Sequence, residues 1–180
     1  MQVKGSMMMF VVKGVRAAGV GRFDHLLSDA DRELIGQRIL PINWYPFDIY
    51  RRLFDGLVTV VARGDLTTVK QWGRDYGETI LQGVYRSVIV AGDPYRTLKN
   101  YEQRFSSFYD FGRLEVATTG PSAVELTIRD FDPSWEALYQ MISGWLERSV
   151  ELAGGRGPKV DFAERSWIGD AATVYRISWR

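Results

Sequence analysis

The sequence predicts an α+β fold, a helical N-terminal half packed with an antiparallel sheet. Three observations carry it. Apolar residues between Tyr50 and Ile89 recur at spacings of three and four, the period of helices buried on one face. Val124, Leu126 and Ile128 alternate with Glu125, Thr127 and Arg129, the period of a strand with one dry face and one wet face. Tyr175, Ile177 and Trp179 alternate in the same way after a Gly169-Asp170 turn, so the end of the chain is expected inside a sheet. Helices gathered before strands make the class α+β.

The elements follow in order. Met7 to Val15, rich in Met, Phe and Val, predicts a first strand. Ser28, with Asp31 three positions on, marks a helix running to about Arg38, because the Ser28 hydroxyl can accept from a free amide of the first turn. Pro41 and Pro46 bracket a turn, and Pro46 suits the first position of a helix from Phe47 to Ala62. Tyr50, Leu53, Phe54, Leu57, Val58 and Val61 give that helix one apolar face. After Gly64-Asp65, Leu66 to Tyr76 and Gly77 to Ala91 read as two helical segments. Val69, Trp72 and Tyr76 stripe the first; Ile80, Leu81, Val84, Tyr85, Val88 and Ile89 stripe the second. Asp93-Pro94, a cap then a proline, opens a helix from Tyr95 to Phe108. Leu114 to Thr118 and Ala123 to Arg129 flank a Gly120-Pro121 turn. Asp132-Pro133 repeats the cap-and-proline device before a helix carrying Trp135, Leu138, Ile142, Trp145, Leu146 and Val150, which stops at Gly154-Gly155. Val160 to Trp167 and Thr173 to Arg180 form the closing hairpin. Without a repeat, a low-complexity tract or a linker, residues 1–180 are expected to form a single domain.

Composition narrows the function. A hydrophobic share of 46% is enough for a core and argues against disorder. The 23 basic and 22 acidic residues leave a net charge of +1, so no global electrostatic grip on nucleic acid or an anionic membrane is expected. The absence of cysteine removes disulfides, thiolate nucleophiles, iron–sulfur clusters and cysteine-ligated zinc, and is compatible with a reducing cytoplasm, the expected location. Met7 to Val12 is the longest apolar run near the start. It falls far short of the roughly 20 residues of a membrane span and lacks a signal-peptide cleavage pattern.

No residue set forms a catalytic or metal signature. His25 is the only imidazole; Asp24 and Asp29 could orient it, but no nucleophile is placed beside it, so a structural role is expected. Gly19-Val20-Gly21 and Gly154-Gly155-Arg156-Gly157 lack the context of a phosphate cradle. Asp29, Asp31 and Glu33, and Asp130 and Asp132, are better read as charges at helix starts than as ligands of a hard cation. The aromatic residues concentrated in the helical half are the candidates for binding. Tyr50, Phe54, Trp72, Tyr76, Tyr85 and Phe105 could line a concave apolar site for a flat or lipid-like ligand, or could be plain core and interface.

The segment Gly-Trp-Leu-Glu-Arg-Ser-Val-Glu-Leu-Ala-Gly-Gly (144–155), followed by Val160 to Arg165, Gly169-Asp170 and Val174 to Trp179, resembles the end of the haem-nitric-oxide-binding-like and 4-vinyl-reductase-like sensor domains. Tyr101-Glu102-Gln103-Arg104-Phe105, running into Phe111-Gly112-Arg113-Leu114-Glu115-Val116, is similar to a family of myxobacterial paralogues of unknown function. The resemblance implies helices covering a curved antiparallel sheet, sometimes enclosing a hydrophobic pocket, often in a dimer. Haem-binding members of the family need a proximal histidine on a central helix and a Tyr-x-Ser-x-Arg motif. Here the one histidine is His25 and the motif is absent, since Tyr85-Arg86-Ser87 does not meet it. Regulatory vinyl-reductase-like members commonly use cysteines for zinc, and this chain has none. No cofactor and no structural metal are therefore expected.

Three functions compete. The first is a non-catalytic sensor or binding domain acting through a small hydrophobic ligand or a protein partner. The second is an oligomeric interaction module without a ligand. The third, an enzyme, would need Tyr, Lys, Arg or carboxylate chemistry. A homodimer is expected, in contact through Met7 to Val12, whose apolar run would otherwise leave a hazardous strand edge.

Overall fold

The computed structural model describes residues 1–83 and 85–180; Val84, assigned above to a helical stripe, lies outside the described residues. The architecture is α+β. Two compact units share the chain: Met1–Leu66 with Ser107–Phe111, and Thr67–Ser106 with Gly112–Arg180.

The first unit is mostly helical. Strand β1 (Gln2–Lys4) leads into α1 (Gly5–Ala18), and α2 (Asp29–Gly36), β2 (Trp44–Pro46) and α3 (Phe47–Val60) follow. β1 pairs antiparallel with β2, Val3 opposite Tyr45. On its other side Val3 bridges Tyr109, and the Lys4 amide donates to the Phe108 carbonyl at 2.8 Å. Gly5 is required at this junction, because a Cβ there would lie 2.0 Å from the Leu40 carbonyl oxygen.

The N-terminal strand expected over Met7 to Val15 is corrected here: this segment is the body of α1. Met8, Val11, Val12 and Val15 are its buried apolar side chains, and their spacing of three, one and three keeps them on one helical face. An unbroken apolar run fits a buried helix as well as a buried strand. The contact proposed through an exposed edge at Met7 to Val12 falls with the strand. Ser28 caps α2 as expected: its hydroxyl accepts from the Asp31 amide at 3.3 Å, and the Asp31 carboxylate accepts from the Ser28 amide at 2.8 Å. Pro46 is the last residue of β2 and the cap of α3, one place earlier than expected.

The second unit contains α4 (Leu66–Gln82), α5 (Pro94–Arg104), β3 (Arg113–Gly120), β4 (Ala123–Arg129), α6 (Glu136–Leu152), β5 (Lys159–Glu164) and β6 (Thr173–Ser178). The sheet is antiparallel throughout, in the order β3-β4-β6-β5. The last strand is thus interior, flanked on both sides. Tyr175 and Ile177 are buried, Trp179 half-buried, and Arg180 exchanges backbone hydrogen bonds with Arg156 at 2.8 and 2.9 Å. Val116, Val124, Leu126, Ile128, Val160, Tyr175 and Ile177 share a core with Leu98 and Tyr101 of α5 and with Tyr139, Leu146 and Val150 of α6.

Two expectations change. The break foreseen at Gly77 is absent: α4 runs unbroken to Gln82, and its glycines are points of contact instead. A Cβ on Gly73 would lie 1.9 Å from the Met141 carbonyl oxygen, and one on Gly144 would lie 1.9 Å from the Lys70 carbonyl oxygen. The backbones of α4 and α6 therefore touch. Among the described residues between α4 and α5, Arg86–Val88 forms a short helical turn. Asp132 does not cap a helix. Its carboxylate accepts from the Ser134 amide at 3.0 Å in a local turn, and α6 begins at Glu136. Asp93, by contrast, caps α5 as expected, accepting from the Arg96 amide at 2.9 Å.

Candidate functional site

The six aromatic candidates fall in different surroundings. Tyr50 and Phe54, one turn apart on α3, are buried in the first unit with ring centres 6.3 Å apart. Phe47 joins them, 6.1 Å from Tyr50 and 4.6 Å from Phe111. In the second unit, Trp72 and Tyr76 stand one turn apart on α4 and are half-buried; Tyr76 lies 5.8 Å from Trp145. Tyr85 is half-buried against that unit's core, and Phe105 is buried beside Phe131 at 6.1 Å. Each aromatic cluster belongs to the packing of its own unit.

A cavity of about 680 Å³ opens in the first unit, where α1 and α2 meet the segment after α2. Its apolar floor is Met9, Val12, Ile35 and Ile39. Lys13, Arg16, Arg32 and Arg38 supply the charge around it, and no carboxylate lines it. Arg32 is matched by Asp24 at 2.6 Å. Arg16 is matched only by backbone: its guanidinium donates to the Ile35 carbonyl, and to the Gln37 carbonyl at 2.6 Å, satisfying oxygens left free at the end of α2. Neither Lys13 nor Arg38 was singled out from the sequence. The signal was present: Met9, Val12, Lys13 and Arg16 share one face at helical spacing, which reading the segment as a strand conceals.

Two charged clusters are structural. Asp31 is fully buried, and Arg52 reaches it at 2.9 Å. Burial alone would raise the Asp31 carboxyl, but hydrogen bonds from Arg52 and Ser28 outweigh it and hold the group below the usual carboxylate range. Across α4 and α6, Lys70 and Arg74 meet Glu147 at 2.6 and 3.1 Å, Arg74 meets Glu151 at 2.9 Å, and Arg148 meets both Glu78 and Glu151. Among the described residues no group of acidic or histidine side chains is placed to hold a metal ion, and no helix is long and apolar enough to cross a membrane.

In fold, the chain is similar over 98% of its length to H-NOX domains. One is an oxygen-binding H-NOX domain related to soluble guanylate cyclases, in its oxygen complex (TM-score 0.69, 16% identity, 95% of that chain covered). Another is a Cs H-NOX mutant carrying 4-cyano-L-phenylalanine (TM-score 0.71, 15% identity, 96% covered). A third is a mutant Fe(II) unliganded H-NOX protein from K. algicida (TM-score 0.69, 13% identity, 96% covered). The family described as "Protein of unknown function (DUF2378)" matches residues 33–180. Comparison with curated proteins gives no match.

The similar structures include one concerned with haem redox potential and porphyrin distortion, which makes haem the group that the donor set would have to fit. Axial ligation needs an imidazole, a thiolate or a phenolate, with methionine serving beside a histidine. The sole histidine, His25, is exposed in the turn that precedes α2, and there is no cysteine. Tyr101, Tyr139 and Tyr175 are buried, and burial raises each phenol, Tyr101 and Tyr175 well above the ordinary value. Each hydroxyl is also engaged: Tyr101 with Ser149 at 2.8 Å, Tyr139 donating to the Asp132 carbonyl at 2.7 Å, and Tyr175 donating to the Tyr139 carbonyl at 2.9 Å. Neither the exposed His25 nor any of these three buried, hydrogen-bonded tyrosines fits a haem iron.

Proposed function

The chain belongs to the DUF2378 family, and on the H-NOX fold it carries we propose a non-catalytic sensor or binding domain that works without haem, through a small hydrophobic ligand or a protein partner. One observation supports this above the others. The fold matches along 98% of the chain, while there is no cysteine, the one histidine is exposed before α2, and the buried hydroxyls of Tyr101, Tyr139 and Tyr175 are engaged. A cavity of about 680 Å³ is of the size that takes small ligands. Trp72, Tyr76 and Tyr85, half-buried in the second unit, offer aromatic faces for a ligand of the kind the sequence anticipates; Phe105 is buried in that unit, and Tyr50 and Phe54 are buried in the first. Residues 1–180 act as one sensor domain in the cytoplasm. The test is a haem titration. After incubation with excess haemin and desalting, the protein is expected to retain no stoichiometric Soret absorbance; a retained, ligated Soret band would overturn the reading.

A second reading, a homodimeric interaction module, draws on the loop before α3. Ile42 is 76% exposed, with Leu40 and Trp44 exposed beside it, more apolar surface than one loop usually shows to water. Sedimentation at micromolar concentration tests it. A dimer that Ile42→Glu splits supports it, and a single species near 20.6 kDa, unchanged on tenfold concentration, contradicts it.

A further inference from the structure

Deepening the reading of a small hydrophobic ligand, on which this step rests, we infer that the cavity between α1 and α2 is a site for an anionic amphiphile. The occupant is a long-chain carboxylate whose tail lies on Met9 and Val20 beside Val12, Ile35 and Ile39 and whose headgroup meets Lys13 and Arg38.

The charge pattern carries the inference. Over the whole chain basic and acidic residues balance, 23 against 22. Around this cavity they do not: four cationic side chains line it and no acidic one does. Only Arg32 has a carboxylate partner. Arg16 is held by backbone carbonyls, which fix its guanidinium at the wall without cancelling its charge. Lys13 and Arg38 are exposed and make no hydrogen bond or ion pair with the described residues. Cations beside a low-dielectric wall focus a positive potential into the space between them. A headgroup of opposite sign gains there what no group of the protein supplies.

The apolar side of the site selects the rest of the ligand. Met9 and Val20 are half-buried and give the floor its accessible apolar surface, while Val12, Ile35 and Ile39, 1%, 4% and 8% exposed, belong to the unit's own core. An alkyl chain laid on it leaves water without costing the protein a polar contact. The volume suits one small molecule better than a peptide helix. The surface is also concave, so it receives a single tail, whereas a bilayer is met by protruding apolar side chains.

The experiment is calorimetric titration of the full chain with sodium dodecanoate, kept below its micelle concentration, with uncharged dodecyl maltoside in parallel. One dodecanoate per chain is expected, with the maltoside at least tenfold weaker. The double variant Lys13→Glu/Arg38→Glu changes only exposed, unpaired side chains. It should keep its circular dichroism spectrum and lose at least tenfold in dodecanoate affinity. Met9→Trp, which fills the half-buried side of the floor and leaves the cations in place, should also weaken binding. No saturable binding, or equal affinity in the charge-reversed variant, overturns the inference. So does pelleting with phosphatidylglycerol vesicles in the absence of dodecanoate binding, which would reassign the patch to a membrane surface. None of these failures touches the haem-free reading, which falls only on retained haem.

Discussion

Replacing Gly144 by alanine should cost the protein about 2 kcal/mol, although alanine is the better helix former. The added Cβ would lie 1.9 Å from the Lys70 carbonyl oxygen and 3.2 Å from the Arg74 amide nitrogen, both backbone atoms of a helix that cannot step aside locally. Ordinary contact at 3.4 Å requires α4 and α6 to separate by about 1.5 Å. Separation stretches the Lys70–Glu147 pair at 2.6 Å and the Arg74–Glu151 pair at 2.9 Å together. Overpacking of this kind costs about 1–3 kcal/mol, and a backbone obstacle places it at the upper end. Loss of the glycine penalty in a helix returns about 1 kcal/mol. Urea unfolding reads the difference. With a slope of about 1–3 kcal/mol per molar for a small protein, the midpoint should fall by about 1 M. Gly73→Ala should do the same. The double variant should cost less than the two single changes together, because one separation of the helices accommodates both methyls. Gly36→Ala is the control: nothing lies within 4 Å of its added Cβ, and it should be neutral or slightly stabilising. A Gly144→Ala protein with the midpoint of the parent would refute a backbone contact between α4 and α6.

Deleting the last six residues removes most of an interior strand, with Tyr175 and Ile177 buried to within 1%. Each such side chain is worth about 1.5–3 kcal/mol, so soluble expression should fail or the melting temperature drop sharply, and an unchanged melting temperature would contradict the topology. Asp31→Asn should destabilise at neutral pH, with a particular pH dependence. The folded carboxyl lies below its unfolded value, so its contribution is complete above the ordinary carboxylate value of about 3.9 and is lost as pH falls below it. The gap between parent and variant in urea unfolding should therefore be constant from pH 7 to 5 and narrow at pH 3.5; a gap that stays constant to pH 3 would show that Asp31 is not held ionised. Tyr175→Phe leaves the Tyr139 carbonyl without its 2.9 Å donor in a buried place and should cost about 1–3 kcal/mol in the same assay.

The fold class was legible because its signals are periodic. Val124, Leu126 and Ile128 alternate, and the structure buries all three. Ser28 with Asp31 and Asp93 with Pro94 announced helix starts through side-chain chemistry that acts within one turn. Errors arose where the deciding partner is remote in sequence. Gly77 looks like a break until α6 is placed against it. Asp132-Pro133 has the residues of a cap, but its carboxylate is used two positions on. The segment from Met7 to Val12 is apolar enough to suit a strand or a helix, and reading it as a strand hid the cationic face of Lys13 and Arg16. Arg38 was invisible for a different reason: it joins that face only because the chain turns after α2. The aromatic residues were recognised as a group, but sequence spacing does not say which unit each one packs into.

The central claim is that an H-NOX fold here serves a ligand other than haem. Native mass spectrometry of the purified intact protein tests it most directly, since it weighs the chain with whatever remains bound. The account predicts species at 20.6 kDa, or twice that, bearing no haem and gaining the mass of one alkyl carboxylate when dodecanoate is added. A stoichiometric mass increment of haem would contradict it; a chain that takes up no dodecanoate would overturn the alkyl carboxylate and leave a protein partner as the haem-free reading.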